Sequence, residues 1–175
     1  MDMNKIEGAI EAILFAVGEE VSASKLSQVL ELSVEDIKVI VGHISEKYEK
    51  EKSGMRILEI NDSYQLCTSS DYFEFIAKMV KAPQRKALTQ SLLETLSIIV
   101  YKQPITKGQI EEIRGVNSDH GVNRLIELGL IIEAGRADTI GRPILLKTSN
   151  EFLKYFGFKN LNDLPILPEY SEDDL

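Results

Sequence analysis

Apolar residues recur at helical spacing in two separate stretches of the chain, and each stretch ends in a pair of strand-like runs. In the second, Leu92, Leu93, Leu96, Ile99 and Val100 fall on one side of a helix and mark a core-facing stripe. Pro104 closes this helix, because the residue before a proline is pushed out of the helical region. Thr106 then precedes Gln109 at the capping-box spacing, which opens a second helix carrying Ile110 and Ile113. Gly115 and Asn117 interrupt again. A third helix from about Ser118 carries Val122, Leu125 and Ile126 and ends at Gly129, a residue suited to a left-handed cap. Leu130 to Glu133 and Pro143 to Thr148 read as strands, joined through Gly135 to Arg142. Three helices followed by a hairpin predict a winged-helix module.

The N-terminal stretch repeats this order. Ile6, Ile10, Ile13, Leu14 and Val17 form a stripe that Gly18 ends, and a helix of about Ser24 to Leu32 presents Leu26, Val29 and Leu30. Ser33 caps a third helix that carries Ile37, Ile40, Val41, Ile44 and Tyr48. Met55 to Ile60 and Tyr64 to Thr68 pair across Asn61, Asp62 and Ser63. EAILFAVGEEVSASKL (Glu11 to Leu26) aligns with ETLSIIVYKQPITKGQI (Glu94 to Ile110) with a one-residue gap, and Val21 and Ser22 take the place of Ile105 and Thr106. Such repetition argues for tandem domains. Between the copies, Phe73, Ile76, Ala77 and Val80 lie at helical spacing, followed by the polar run KAPQRKALTQ. Lys81, Arg85 and Lys86 cluster there, as a solvated linker or as a contact for nucleic acid or an acidic partner. Glu151 to Phe158 reads as a short helix packing Phe152, Leu153 and Phe156. The expected fold is α+β and mainly helical: two tandem winged-helix domains, residues 1–69 and 91–165, joined by a connector helix and linker over 70–90. An acidic flexible tail spans 166–175.

Charge and chemistry narrow the function. The 175 residues carry a net charge of -8, which repels phosphate backbones at long range and disfavours a main task of gripping DNA. One cysteine, Cys67, excludes an intramolecular disulfide, and in a strand it reads as a small hydrophobe. With His43 and His120 the only histidines, the usual zinc site cannot be assembled, and the expectation is no metal and no cofactor. GRADTIG lies between two strands with no helix to follow it, so it is a wing and not a phosphate loop. No nucleophile, base or carboxylate pair is placed by spacing, so the chain is expected not to be an enzyme and to have no small-molecule substrate. No run is long and apolar enough to span a bilayer, and the expectation is a cytoplasmic protein without a membrane partner.

The runs IVYKQPITKGQIEEIRGVNSD (Ile99 to Asp119), GRADTIGRPILLKTSNEFLKYFGFKNLNDLP (Gly135 to Pro165), IEAILFAVGEEVS and YQLCT resemble the segregation and condensation protein B family. The resemblance covers nearly the whole chain. It implies a nucleoid-associated accessory subunit that acts in chromosome condensation and segregation. Such a subunit forms a homodimer through its N-terminal domains. It binds the central segment of the kleisin, segregation and condensation protein A, and through it the SMC protein. Any DNA contact would be indirect or weak. His120 stands where a glycine is more usual, which leaves the start of that helix open by a residue or two. Ser63 replaces a common wing-turn glycine.

Residues off the core stripes offer candidate surfaces. Phe15 and Ile98 are equivalent in the repeat and lie off the stripe of the first helix in each copy, with Tyr101 on the same side as Ile98. They either pack under a wing or connector, or face a partner. Ile6, Ile10 and Phe15 are assigned to the dimer surface, and Ile98 and Tyr101 to the kleisin surface. The rival function is a DNA-binding regulator, since winged helices commonly lay the third helix in the major groove. Against it, those helices open with Glu35 and Asp36, and with Asp119, carboxylates that repel phosphate. Arg124, Arg136 and Arg142 are the candidates for a weak DNA contact.

Overall fold

A computed structural model describes residues 2–80 and 87–165. The basic cluster Lys81, Arg85 and Lys86 and the acidic tail 166–175 lie outside the described residues. The chain divides into two compact units, residues 1–83 and 84–175.

In the first unit, α1 (Met3–Val17) stops at Gly18, whose φ of 70° is left-handed and whose N–H donates to the Leu14 carbonyl. A two-residue strand β1 (Val21–Ser22) leads into α2 (Ala23–Leu30) and then α3 (Val34–Lys50). Ser33 and Asp36 cap α3 reciprocally: the Asp36 N–H donates to Ser33 Oγ at 3.0 Å, and the Ser33 hydroxyl donates back to the Asp36 carboxylate at 2.7 Å. The wing is β2 (Met55–Ile60) and β3 (Ser63–Thr68), antiparallel, turning through Asn61 and Asp62. Both turn residues have positive φ, as a two-residue hairpin loop with this twist requires, and Ser63 belongs to the strand. The sheet order is β1-β3-β2, so β3 is bonded on both sides. Ile10, Leu14, Leu26, Ile37, Ile44 and Tyr64 form the core with their neighbours. A 3-10 turn (Ser70–Tyr72) and α4 (Phe73–Met79) follow.

The second unit repeats the plan: α5 (Gln90–Lys102), β4 (Ile105–Thr106), α6 (Lys107–Arg114), α7 (Asp119–Glu127), β5 (Ile131–Arg136) and β6 (Ile144–Thr148), with sheet order β4-β6-β5. Each unit is therefore a winged helix. Thr106 and Gln109 form the expected capping box at the start of α6. The third helix begins at Asp119 despite His120. After the wing, α8 (Asn150–Phe156) buries Phe152 and Leu153, while Phe156 lies on its outer side.

Several positions expected in the stripes face solvent: Val17, Val29, Leu93, Ile113 and Ile126. The two-turn helices α2 and α6 explain the largest departures. So short a helix reaches its core through only one or two positions, Ala23 and Leu26 in α2 and Ile110 in α6. Thr95 takes an unexpected core place at 0% exposure, its hydroxyl donating to the Ser91 carbonyl at 2.9 Å. A Cβ at Gly121 would stand 3.1 Å from Thr95 Oγ1, so the missing side chain is what lets α7 close on α5. The connector α4 also departs from its expected apolar face. Only Ile76 and Ala77 are half-buried, whereas Phe73 and Val80 are exposed, because α4 packs chiefly on the turn before it.

These placements separate two isoleucines of one helix. Ile110→Ala should cost about 2–5 kcal/mol of stability through the cavity it leaves, and Ile113→Ala less than about 1 kcal/mol at an exposed site. Urea denaturation of both variants checks the difference.

Candidate protein-partner surfaces

On α1 the residues assigned to a dimer surface separate. Ile6 and Ile10 are 6% and 0% exposed and belong to the core of their own unit. Their assignment to a partner surface is corrected on that ground: the helical stripe that makes them apolar is consumed inside the domain. Phe15 is 75% exposed on the opposite side, with half-exposed Val17 beyond it. Around it the domain is well tied. Gln65 donates to the Gly18 carbonyl at 2.9 Å, and the Tyr48 hydroxyl bonds Glu11, so α1 is held to β3 and α3. Burial and Glu11 together push the Tyr48 phenol up to about 12.

On α5 the equivalent Ile98 is half-buried, so the repeat does not carry the exposure of Phe15 across. Tyr101 is 37% exposed and engages the chain's own C-terminal segment, its hydroxyl donating to the Pro165 carbonyl at 2.9 Å. Val100, Tyr101, Lys102 and Gln103 line a cleft of about 380 Å³ with Leu161, Leu164 and Pro165. Ile98 does not line it. The far wall is a preformed turn. Asn160 and Asp163 make a capping box around Leu161–Asp163, and Phe158 stacks on Phe156 to set where the turn begins. This feature was missed in the sequence, since a contact spanning 64 residues leaves no periodic signal.

The third helices use their opening carboxylates structurally. Asp36 completes the cap of α3. Asp119 pairs with Lys107 and accepts from Asn117, and these donors hold its carboxyl below the usual range. Arg124 pairs with Glu127 on its own helix at 2.8 Å. Arg136 donates to the Arg142 carbonyl at 3.1 Å, which turns its guanidinium onto the wing's own backbone. Arg136 and Arg142 are thus brought together on one wing, with fully exposed Ile140 at its tip, and Arg124 lies on α7 instead. In the first unit the Lys38 ammonium is 2.6 Å from Asp62, pinning the wing turn to α3.

A concavity of about 980 Å³ lies in the second unit, lined in part by Leu92, Leu128, Leu130, Arg114, Arg124 and Tyr155. Arg114 is its keystone. Only 11% exposed in its side chain, it pairs with Glu94 at 3.1 Å and also donates to Ser91 and Ser118, joining α5, α6 and the start of α7. Sequence spacing could not have found it, because its partners come from other helices.

Cys67 is half-buried in β3, and His43 and His120 are exposed. Among the described residues, no three or more His, Cys, Asp or Glu side chains are grouped to hold a metal ion. Among them, too, no helix is long and apolar enough to cross a membrane.

Residues 8–167 match the model of the family described as "Segregation and condensation complex subunit ScpB". The chain is 47% identical to the segregation and condensation protein B of Lachnoclostridium phytofermentans, over 99% of this chain and 92% of that one. It is 46% identical to the protein of the same name from Acetivibrio thermocellus, over 95% of this chain and 84% of that one. A solved dimer of an ScpB N-terminal domain complexed with ScpA peptide is 25% identical, covers 45% of this chain and 98% of its own, and has a TM-score of 0.43.

The different settings of two arginines yield a measurable contrast. Arg114→Ala should lower stability by about 1–3 kcal/mol, since it removes a mostly buried side chain with its charged hydrogen bonds to three elements, whereas Arg124→Ala at an exposed i,i+3 pair should change it by less than about 1 kcal/mol. Denaturant titration of each variant reads the difference.

Proposed function

This chain belongs to the segregation and condensation complex subunit ScpB family, and from that premise we propose that it is a non-catalytic accessory subunit of a bacterial SMC–kleisin complex. It acts in chromosome condensation and segregation, in the cytoplasm and at the nucleoid. It dimerises through its first unit and binds the central segment of the kleisin. The observation that carries this reading is the family match across both winged helices, residues 8–167.

The physical reading agrees with a mechanism that is binding alone. Phe15 leaves a large aromatic in water, and covering it in a dimer would contribute about 1.5–3 kcal/mol per subunit. An otherwise extended segment gains its affinity by laying apolar side chains into such surfaces. The places where a DNA-reading winged helix sets its cations are occupied here by Glu35, Asp36 and Asp119, of which Asp36 serves a cap and Asp119 an ion pair. The net charge of -8 works against a duplex as the main partner.

Light scattering of the protein alone and with the kleisin of the same genome, beside a low-salt DNA titration, tests the proposal. The expected result is a dimer that co-elutes with the kleisin and ignores DNA. Phe15→Glu should give folded monomers, because the residue lies outside the core, whereas a charge at Ile10 would unfold the domain. Tyr101→Glu should leave the dimer and weaken kleisin binding about tenfold or more, a loss of about 1.4 kcal/mol or greater. A chain that ignores the kleisin and binds duplex DNA with steep salt dependence overturns the reading in favour of a DNA-binding regulator.

A further inference from the structure

The C-terminal end of α5 already holds a peptide, and that peptide is the chain's own. Lys159 to Pro165 forms a compact turn in which the Asp163 carboxylate accepts from the N–H groups of Lys159 and Asn160, at 2.9 and 3.2 Å. Asn160 returns the favour through its side chain, accepting from the Asn162 N–H at 2.8 Å. The turn therefore holds its shape from within. Leu161, Leu164 and Pro165 line one cleft together with Val100, Tyr101 and Lys102. One polar bond fixes the register, from the Tyr101 hydroxyl to the Pro165 carbonyl. The fit is incomplete: a cleft of about 380 Å³ remains, and Leu161 is still 40% exposed although Leu164 is half-buried.

From this geometry we infer that the Val100–Tyr101–Lys102 face is a docking site for a short segment with the spacing Leu-x-x-Leu-Pro, and that residues 159–165 are its resident competitor. The inference rests on the reading that the Tyr101 side of α5 receives the kleisin, and it deepens that reading. It names the chemistry of the anchor and makes the site self-occluded. The occupant seen in place is the argument for the occupant proposed. Two apolar side chains three residues apart reach the cleft, and a proline, which has no N–H of its own to satisfy, leaves its carbonyl for the tyrosine. The kleisin segment must displace the turn before it can use the same hydroxyl. Binding is then weakened by the fraction of time the face stands open.

The experiment is a fluorescence-anisotropy titration of the labelled central kleisin segment against the full chain and two full-chain variants. Leu161→Ser with Leu164→Ser removes the turn's anchors. Asn160→Gly with Asp163→Ala loosens the turn without touching an apolar contact, and circular dichroism confirms that each variant is folded. If the turn is docked roughly nine-tenths of the time, releasing it should tighten kleisin binding about tenfold. A synthetic peptide spanning Lys159 to Pro165 should then compete with the kleisin on either variant, and adding Tyr101→Phe should weaken that competition. Kleisin binding that is equal or weaker in both folded variants overturns the resident competitor and leaves the proposed function intact. Failure of the unaltered chain and both variants to bind kleisin at all overturns the proposed function, and this inference with it.

Discussion

The inner strand of each wing organises its unit. β3 and β6 are each bonded on one side to a hairpin partner and on the other to two residues that follow the first helix. That small outer strand, Val21–Ser22 or Ile105–Thr106, is what turns a hairpin beside three helices into a closed domain. It satisfies the backbone of the inner strand, and its last residue caps the second helix in the same step. A short wing without it would be a two-stranded ribbon, which is marginal in water. The first unit adds a further tie at the wing turn, where the Asp62 carbonyl accepts from the Ala23 N–H and its carboxylate pairs with Lys38.

Once the cores are closed, the two units spend their remaining surface differently. The first keeps exposed aromatics, Phe15 on α1 and Phe73 and Phe75 on α4. The second folds its own C-terminal segment back and covers part of the equivalent helix. Duplication of a sequence therefore did not duplicate a surface. α8 is the reason: Phe152, Phe156 and Phe158 gather there and deliver the following turn to the end of α5.

Charge follows the same division between structure and recognition. Asp36 and Asp119, at the starts of α3 and α7, are committed to a cap and an ion pair, and Arg124 and Arg136 are bonded within a few residues of themselves. Beside them the surface keeps large exposed apolar side chains such as Phe15, Phe73 and Phe75. That is the vocabulary of peptide binding, in which an extended segment contributes its own anchors.

The sequence by itself determined the two winged helices, the order of their elements and most of their caps. These rest on local rules: Gly18 and Gly129 take left-handed backbone, Ser33 and Thr106 cap at a fixed spacing, and the apolar period names the helices. It also carried the family, through long runs such as Ile99 to Asp119. The tertiary structure alone decided which apolar residues are core and which are surface. The period already set Ile6 and Ile10 apart from Phe15, but Val17, Val29 and Ile113 stayed out where a stripe would place them in, and Ile98 went half inside from off its stripe. Burial depends on what lies opposite a helix, and helical period says nothing of that. The same holds for Thr95 beneath Gly121, for Arg114 between three helices and for Tyr101 under Pro165. Each is a meeting of residues distant in the chain, set by packing and by no pattern that can be read along it.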